Sequence, residues 1–118
     1  HLTDTFNCST QVYENGNILI EKGSNSNPTK YYDTGAAARF YGGNILTLEN
    51  TLGLAITGIK IQSVSNLATD ANSDFDSGTA TYNGNTLTWS GSSTKVVMTN
   101  PQSSGHIRIS RIEITYLK

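Results

Sequence analysis

Apolar and polar residues alternate along two segments of this chain, and in both the alternation slips once. Ile56-Thr57-Gly58-Ile59-Lys60-Ile61 and Ile109-Ser110-Arg111-Ile112-Glu113-Ile114 share the pattern I-x-x-I-x-I. Leu54 extends the first outward, and Ile107 and Tyr116 extend the second. Period two marks a strand with one buried face. The central x-x breaks the phase, so the apolar residues beyond it would turn to solvent. A β-bulge or a sheet-crossing bend restores them to the core. Two long, equally bent strands predict a curved β-sandwich.

Turn signals divide the rest of the chain. Asn15-Gly16-Asn17, Gly42-Gly43-Asn44 and Asn83-Gly84-Asn85 each lie between two apolar runs. All three read as hairpin turns, because Asn and Gly tolerate the positive φ such turns need. Gly91-Ser92-Ser93 separates Trp89 from Val96-Val97-Met98, and residues 100–105 separate that run from the last strand. No stretch holds helical periodicity for three turns. Residues 36–40 are the best helix formers, but Gly35 and Gly42-Gly43 confine them to a length too short for a stable helix. Their second half reads as strand. About nine strands at this spacing predict an all-β, antiparallel sandwich of jelly-roll type, with 1–118 as one module. Two loops stand out as longer: 23–29, rich in Ser and Asn, and 65–78, which is acidic.

Composition narrows the class. The 118 residues are 36% hydrophobic and 14% charged, with a net charge of −1. Ser, Thr, Asn and Gly fill the gap, a polar uncharged dress frequent in extracellular all-β modules. The eight basic residues are scattered, so no electrostatic footprint for nucleic acid exists. No apolar run approaches the length of a membrane-spanning helix. The single Cys8 has no partner for an internal disulfide.

Three segments carry a family resemblance. They are Tyr32-Asp33-Thr34-Gly35-Ala36-Ala37-Ala38-Arg39-Phe40-Tyr41-Gly42-Gly43; then Gly78-Thr79-Ala80-Thr81-Tyr82 with Trp89-Ser90-Gly91; and His106 through the last I-x-x-I-x-I. With the first I-x-x-I-x-I between them, this order resembles a β-sandwich module at the ends of large secreted or surface proteins of Bacteroidetes and some Firmicutes. The resemblance implies a monomeric accessory domain, secreted or cell-surface, excised from a multidomain protein and covalently linked there to a catalytic domain. It implies a non-catalytic carbohydrate-binding module whose partner is a polysaccharide or oligosaccharide. The alternative is a structural or adhesive spacer without glycan binding, which predicts no exposed aromatic pair.

The residues bearing chemistry agree with a binder. No nucleophile motif and no zinc spacing is present, and an enzyme is not expected. His1 with His106 resembles the copper brace of lytic polysaccharide monooxygenases, but the rest of that family's pattern is missing. Asp70-Ala71-Asn72-Ser73-Asp74-Phe75-Asp76 spaces four oxygen-bearing side chains two apart, like the first half of an EF-hand. Phe75 stands where that loop needs Gly, and Thr81 where it needs Glu. Asp70, Asn72, Asp74 and Asp76 therefore remain a candidate set for a looser structural calcium. The other reading is a solvated loop with Phe75 tucked onto the sandwich edge; no other cofactor is expected. Sugar rings stack on Tyr and Trp while Arg, Asp and Asn orient them. The candidate ligand contacts are Tyr31 or Tyr32, Asp33, Arg39, Trp89, Arg108 and Arg111. Consecutive strand residues face opposite ways, so at most one of Tyr31 and Tyr32 is core.

Overall fold

The two I-x-x-I-x-I segments pair with each other. In the computed structural model, which describes residues 2–7, 14–15, 18–23, 29–32, 36–64 and 72–117, Ile112 stands opposite Ile61, Ile114 opposite Ile59 and Tyr116 opposite Ile56. Around this ladder the described residues form twelve strands: β1 (Leu2–Asn7), β2 (Glu14–Asn15), β3 (Ile18–Gly23), β4 (Lys30–Tyr32), β5 (Ala37–Tyr41), β6 (Ile45–Asn50), β7 (Ile56–Ser63), β8 (Asp74–Phe75), β9 (Thr79–Asn83), β10 (Thr86–Ser93), β11 (Lys95–Thr99) and β12 (His106–Tyr116). Setting aside the short β2, β4 and β8 leaves nine strands of five residues or more, the number expected from turn spacing. No helix occurs among the described residues, so none is long and apolar enough to cross a membrane.

The strands make a sandwich of two antiparallel sheets. A seven-stranded sheet runs β4-β5-β12-β7-β10-β9, with β1 also on β12; a five-stranded sheet runs β2-β3-β6-β11-β8. β12 is long enough to take two partners on one edge. Its first half pairs with β5 and its second half with β1. Between the sheets, Phe40, Ile59, Ile61, Trp89, Ile107, Ile109, Ile112 and Ile114 pack against Leu46, Leu48, Val96 and Met98 in one cluster.

Both phase breaks are bulges. In β12, Ile109 faces Ser63 but Arg111 already faces Gln62, so Ser110 is extra. Burial changes phase there: Ile107 and Ile109 are buried before it, and Ile112, Ile114 and Tyr116 after it. In β7, Gly58 faces Thr115 and Ile56 faces Tyr116, which makes Thr57 the extra residue. The bulges lie at opposite ends of one ladder, and both keep its apolar residues on the inner face.

The turns divide into hairpins and corners. Gly84-Asn85 closes a two-residue hairpin between β9 and β10, since Asn83 pairs with Thr86. β2 and β3 also pair as a hairpin across residues 16–17, which lie outside the described residues. Gly42-Gly43-Asn44 corrects its expectation: β5 and β6 belong to different sheets, so this turn is a corner between layers. Gly91-Ser92-Ser93 also departs from its reading as a separator. It lies within β10, where the register with β7 shifts between Ser90 and Ser93, and the chain leaves for the other sheet only at Thr94. Turn chemistry tells where the chain bends but not which layer it bends into.

Candidate functional site

A line of cations crosses three strands of the larger sheet. Lys30 on β4 stands opposite Arg39 on β5, and Arg39 stands opposite Arg108 on β12. Neighbouring strands lie about 4.8 Å apart, so the three positions form a row perpendicular to the strands. Alternation explains the face. Ala38 and Phe40 are buried while Arg39 and Tyr41 are partly exposed; Ile107 and Ile109 are buried while His106 and Arg108 are partly exposed. The row therefore lies on the outer face of the sheet.

Aromatic rings surround the row. Tyr32 lies with its ring 4.0 Å from the Arg39 guanidinium carbon and 5.7 Å from the Lys30 Nζ. The hydroxyls of Tyr41 and Tyr32 share a hydrogen bond of 3.1 Å. His106, opposite Tyr41 in the ladder, packs its ring 5.2 Å from that of Tyr41. The Nε of Arg108 donates to the Nε2 of His106 at 3.3 Å, which requires a neutral imidazole. The Nε of Arg39 is buried and has no hydrogen-bond partner among the described residues.

The electrostatics follow from this crowding. Burial, then the charges of Arg39 and Arg108, hold the His106 imidazole below its ordinary value. Burial pushes the Tyr41 phenol up, but its hydrogen bonds to Tyr32 and Arg39 and the charges of Arg39 and Lys30 outweigh that. The net direction for Tyr41 is down. The Tyr32 phenol moves up, first through its hydrogen bond with Tyr41 and then through burial and the Tyr41 charge, with the Arg39 charge opposing.

The corner after β5 fixes Tyr41 and the start of β12. The Gly42 N–H donates to the Gly105 carbonyl at 3.0 Å, and the Gly43 N–H to that of Asn100 at 2.8 Å. A Cβ on Gly42 would come within 2.4 Å of the Gln102 carbonyl oxygen, so only glycine fits there. Asn100 is wholly buried; its side-chain amide donates to the Phe40 carbonyl at 3.1 Å, and its Oδ1 accepts from the Gln102 N–H at 3.1 Å. These bonds tie the end of β5 to the loop that leads into His106.

Of the expected ligand contacts, Tyr32, Arg39 and Arg108 come together. Tyr31 stands opposite Ala38, and only its backbone is described; Asp33 lies outside the described residues. Arg111 sits beyond the Ser110 bulge and pairs with Glu113 at 2.8 Å. Trp89 is a correction. Its ring is wholly buried, roofed by Gly78 and Gly91, and its Nε1 donates to the Ser77 carbonyl at 2.6 Å. No face of the indole is left for a ligand. Tyr41 and His106 are additions to the set. Their signal was present in the spacing: each is two strand residues from an arginine, Tyr41 from Arg39 and His106 from Arg108.

The acidic loop is arranged differently. Asp70 and His1 lie outside the described residues. Asn72 is buried, while Asp74 is exposed on β8, opposite Thr99. The Asp76 carboxylate accepts from the Val97 N–H at 2.9 Å and so serves to hold the edge of β11. No three His, Cys, Asp or Glu among the described residues come close enough to hold a metal ion. Phe75 packs onto the core edge, 6.4 Å from the Trp89 ring. Beside it, Ser73, Asp74, Gly78, Ala80 and Tyr82 line a cavity of about 220 Å³, with the Tyr82 hydroxyl bonded to Ser73 at 3.1 Å.

Neither a protein-family profile nor a curated protein matches the chain. Among solved structures, one from work on how the complexity of the Ruminococcus flavefaciens cellulosome reflects an expansion in glycan recognition superimposes with a TM-score of 0.61. It covers 100% of this chain and 97% of its own at 9% identity. At that identity the likeness is one of fold: the two chains share a β-sandwich.

Proposed function

We propose that this chain is a non-catalytic carbohydrate-binding module that holds an attached enzyme against polysaccharide outside the cell. The observation that carries the reading is the pair Tyr32 and Tyr41. They lie on an outer sheet face, both partly exposed and joined through their hydroxyls, with Arg39 and His106 against their rings. Phenol rings offer an apolar, electron-rich surface to the axial C–H groups of a sugar, and the adjacent N–H and O–H groups meet its hydroxyls. The site is a surface and not a deep pocket, which suits a chain polymer bound along its length. A spacer module has no use for two half-exposed tyrosines bridged in this way. The sandwich shared with a structure from a study of glycan recognition favours the same reading.

Affinity electrophoresis and calorimetry against plant, algal and host polysaccharides test it. Retention on at least one glycan is expected, with Tyr32→Ala or Tyr41→Ala weakening it about tenfold, as loss of one stacking or hydrogen-bonding ring does. No retention on any glycan sinks the proposal.

A further inference from the structure

We infer that the ligand of this face is an acidic polysaccharide, a polyuronate whose carboxylates meet the row Lys30–Arg39–Arg108; the inference rests on the glycan-binding reading above. The row is unusual in energetic terms. Like charges directly opposite on neighbouring strands repel, and here two such pairs follow one another. Neither Lys30 nor Arg39 has a carboxylate partner among the described residues. Arg39 is held instead against the Tyr32 ring, its guanidinium carbon 4.0 Å from the ring centre. That neighbour orients the guanidinium without neutralising it. The contrast with Arg111 is direct, since that arginine already has Glu113 at 2.8 Å.

The geometry selects among anions. A guanidinium presents a planar fork that matches a carboxylate with two parallel hydrogen bonds. Sheet spacing sets the cations at intervals of about 4.8 Å, close to the advance of one sugar in an extended polysaccharide. Successive uronates crossing β4, β5 and β12 would meet successive cations, with Tyr32 and Tyr41 beside them as ring contacts. Nucleic acid fits the face less well. The net charge of the chain is −1, and the remaining basic residues are scattered, with Lys22 and Lys95 on strands of the other sheet, so no extended basic surface adjoins the row.

The test compares polygalacturonate with its fully methyl-esterified form, which keeps the sugar rings and removes the charge. Calorimetry is run on the intact chain and on Lys30→Gln and Arg39→Gln. Trp89 fluorescence reports that each variant is folded, and the exposed Lys30 keeps the test valid if Arg39→Gln does not fold. The acid form is expected to bind about tenfold or more tightly than the ester, as loss of charge-assisted hydrogen bonds dictates. Either variant should erase most of that difference, and raising NaCl from about 50 to about 500 mM should weaken binding to the acid form. Equal binding to acid and ester, or binding to neutral glycans alone, overturns the inference and leaves the glycan-binding reading standing. Equal retention on poly-L-glutamate also overturns it, because the face would then be an ion exchanger without a sugar site. Failure to bind any glycan removes both.

Discussion

Single residues in this sandwich are often explained by what must lie against them. Gly78 and Gly91 flank Trp89, and a Cβ on either would come within 2.4 or 2.7 Å of the indole. Gly78 also has φ +73, a conformation costly for other residues. Trp89 was expected among the ligand contacts, and the glycines on either side show why it is core instead: their missing side chains let the ring in. Gly91→Ala should therefore cost about 1–3 kcal/mol by overpacking, and Gly78→Ala more, because backbone strain adds to the clash. Denaturant unfolding followed by the sole tryptophan measures both, and an unchanged midpoint for Gly78→Ala would refute the packing argument. Residue-scale logic also governs pH. His106 is held below its ordinary value of 6.5 by burial and by Arg39 and Arg108, so the folded chain prefers the neutral imidazole. A group with a depressed folded pKa contributes stability that is present above the unfolded value and is lost as pH falls through the folded one. Stability should thus decline as pH drops below 6.5, and His106→Gln should flatten that part of the curve. Thermal melts from pH 7.5 down to 5 test it; an identical acid limb in the variant would exclude His106 as the source. Of its neighbours, Arg108 was legible two residues away in the sequence, but Arg39 and Tyr41 come from β5, which meets β12 only in the fold.

Elements were legible where a period was written into the chain and obscure where only a turn was. The I-x-x-I-x-I phase break announces a bulge or a sheet-crossing bend, because period two alone would turn Ile112 and Ile114 outward, and β12 carries a bulge at Ser110. That the two motifs would pair with each other was not legible, since antiparallel neighbours need no sequence proximity. Nor was the layer change after Gly42-Gly43: a turn in which the Asn44 N–H donates to the Tyr41 carbonyl at 3.0 Å serves a hairpin and a corner equally well. The corner is set instead by long-range bonds to Asn100 and Gly105. The bulge makes a sharp prediction. Deleting Ser110 shifts the second half of β12 by one residue and turns Ile112, Ile114 and Tyr116 outward. At roughly 1.5–3 kcal/mol for each buried side chain, the loss approaches the whole stability of a domain, about 5–15 kcal/mol. Ser110→Ala keeps the residue count and forfeits only the 3.2 Å bond from its hydroxyl to the Gln62 carbonyl, about 1 kcal/mol. Circular dichroism should show the deletion unfolded and the substitution native; a folded deletion variant would mean that the bulge does not set the register.

At the scale of the whole molecule, charge is nearly balanced yet unevenly placed. A net charge of −1 leaves little global self-repulsion for salt to screen. A response of stability to salt therefore reports local patches, and the row Lys30–Arg39–Arg108 is a patch of one sign. Direct cross-strand repulsion is worth about 0.2–1 kcal/mol per pair. Screening is substantial once the Debye length falls to about 8–10 Å near 0.1–0.15 M salt. The intact chain should gain stability between about 10 and 150 mM NaCl, a rise of roughly 1–4 °C in Tm for a domain of this size. Lys30→Gln removes one end of the row, so it should melt higher at low salt and gain less from added salt. Calorimetric melts of both proteins across that range make the comparison. If the two respond alike, the repulsion is already relieved within the fold and the row carries no stored cost. If they differ as expected, the face gives up stability to keep its cations together, the condition under which an anionic ligand returns that stability on binding and raises Tm by mass action.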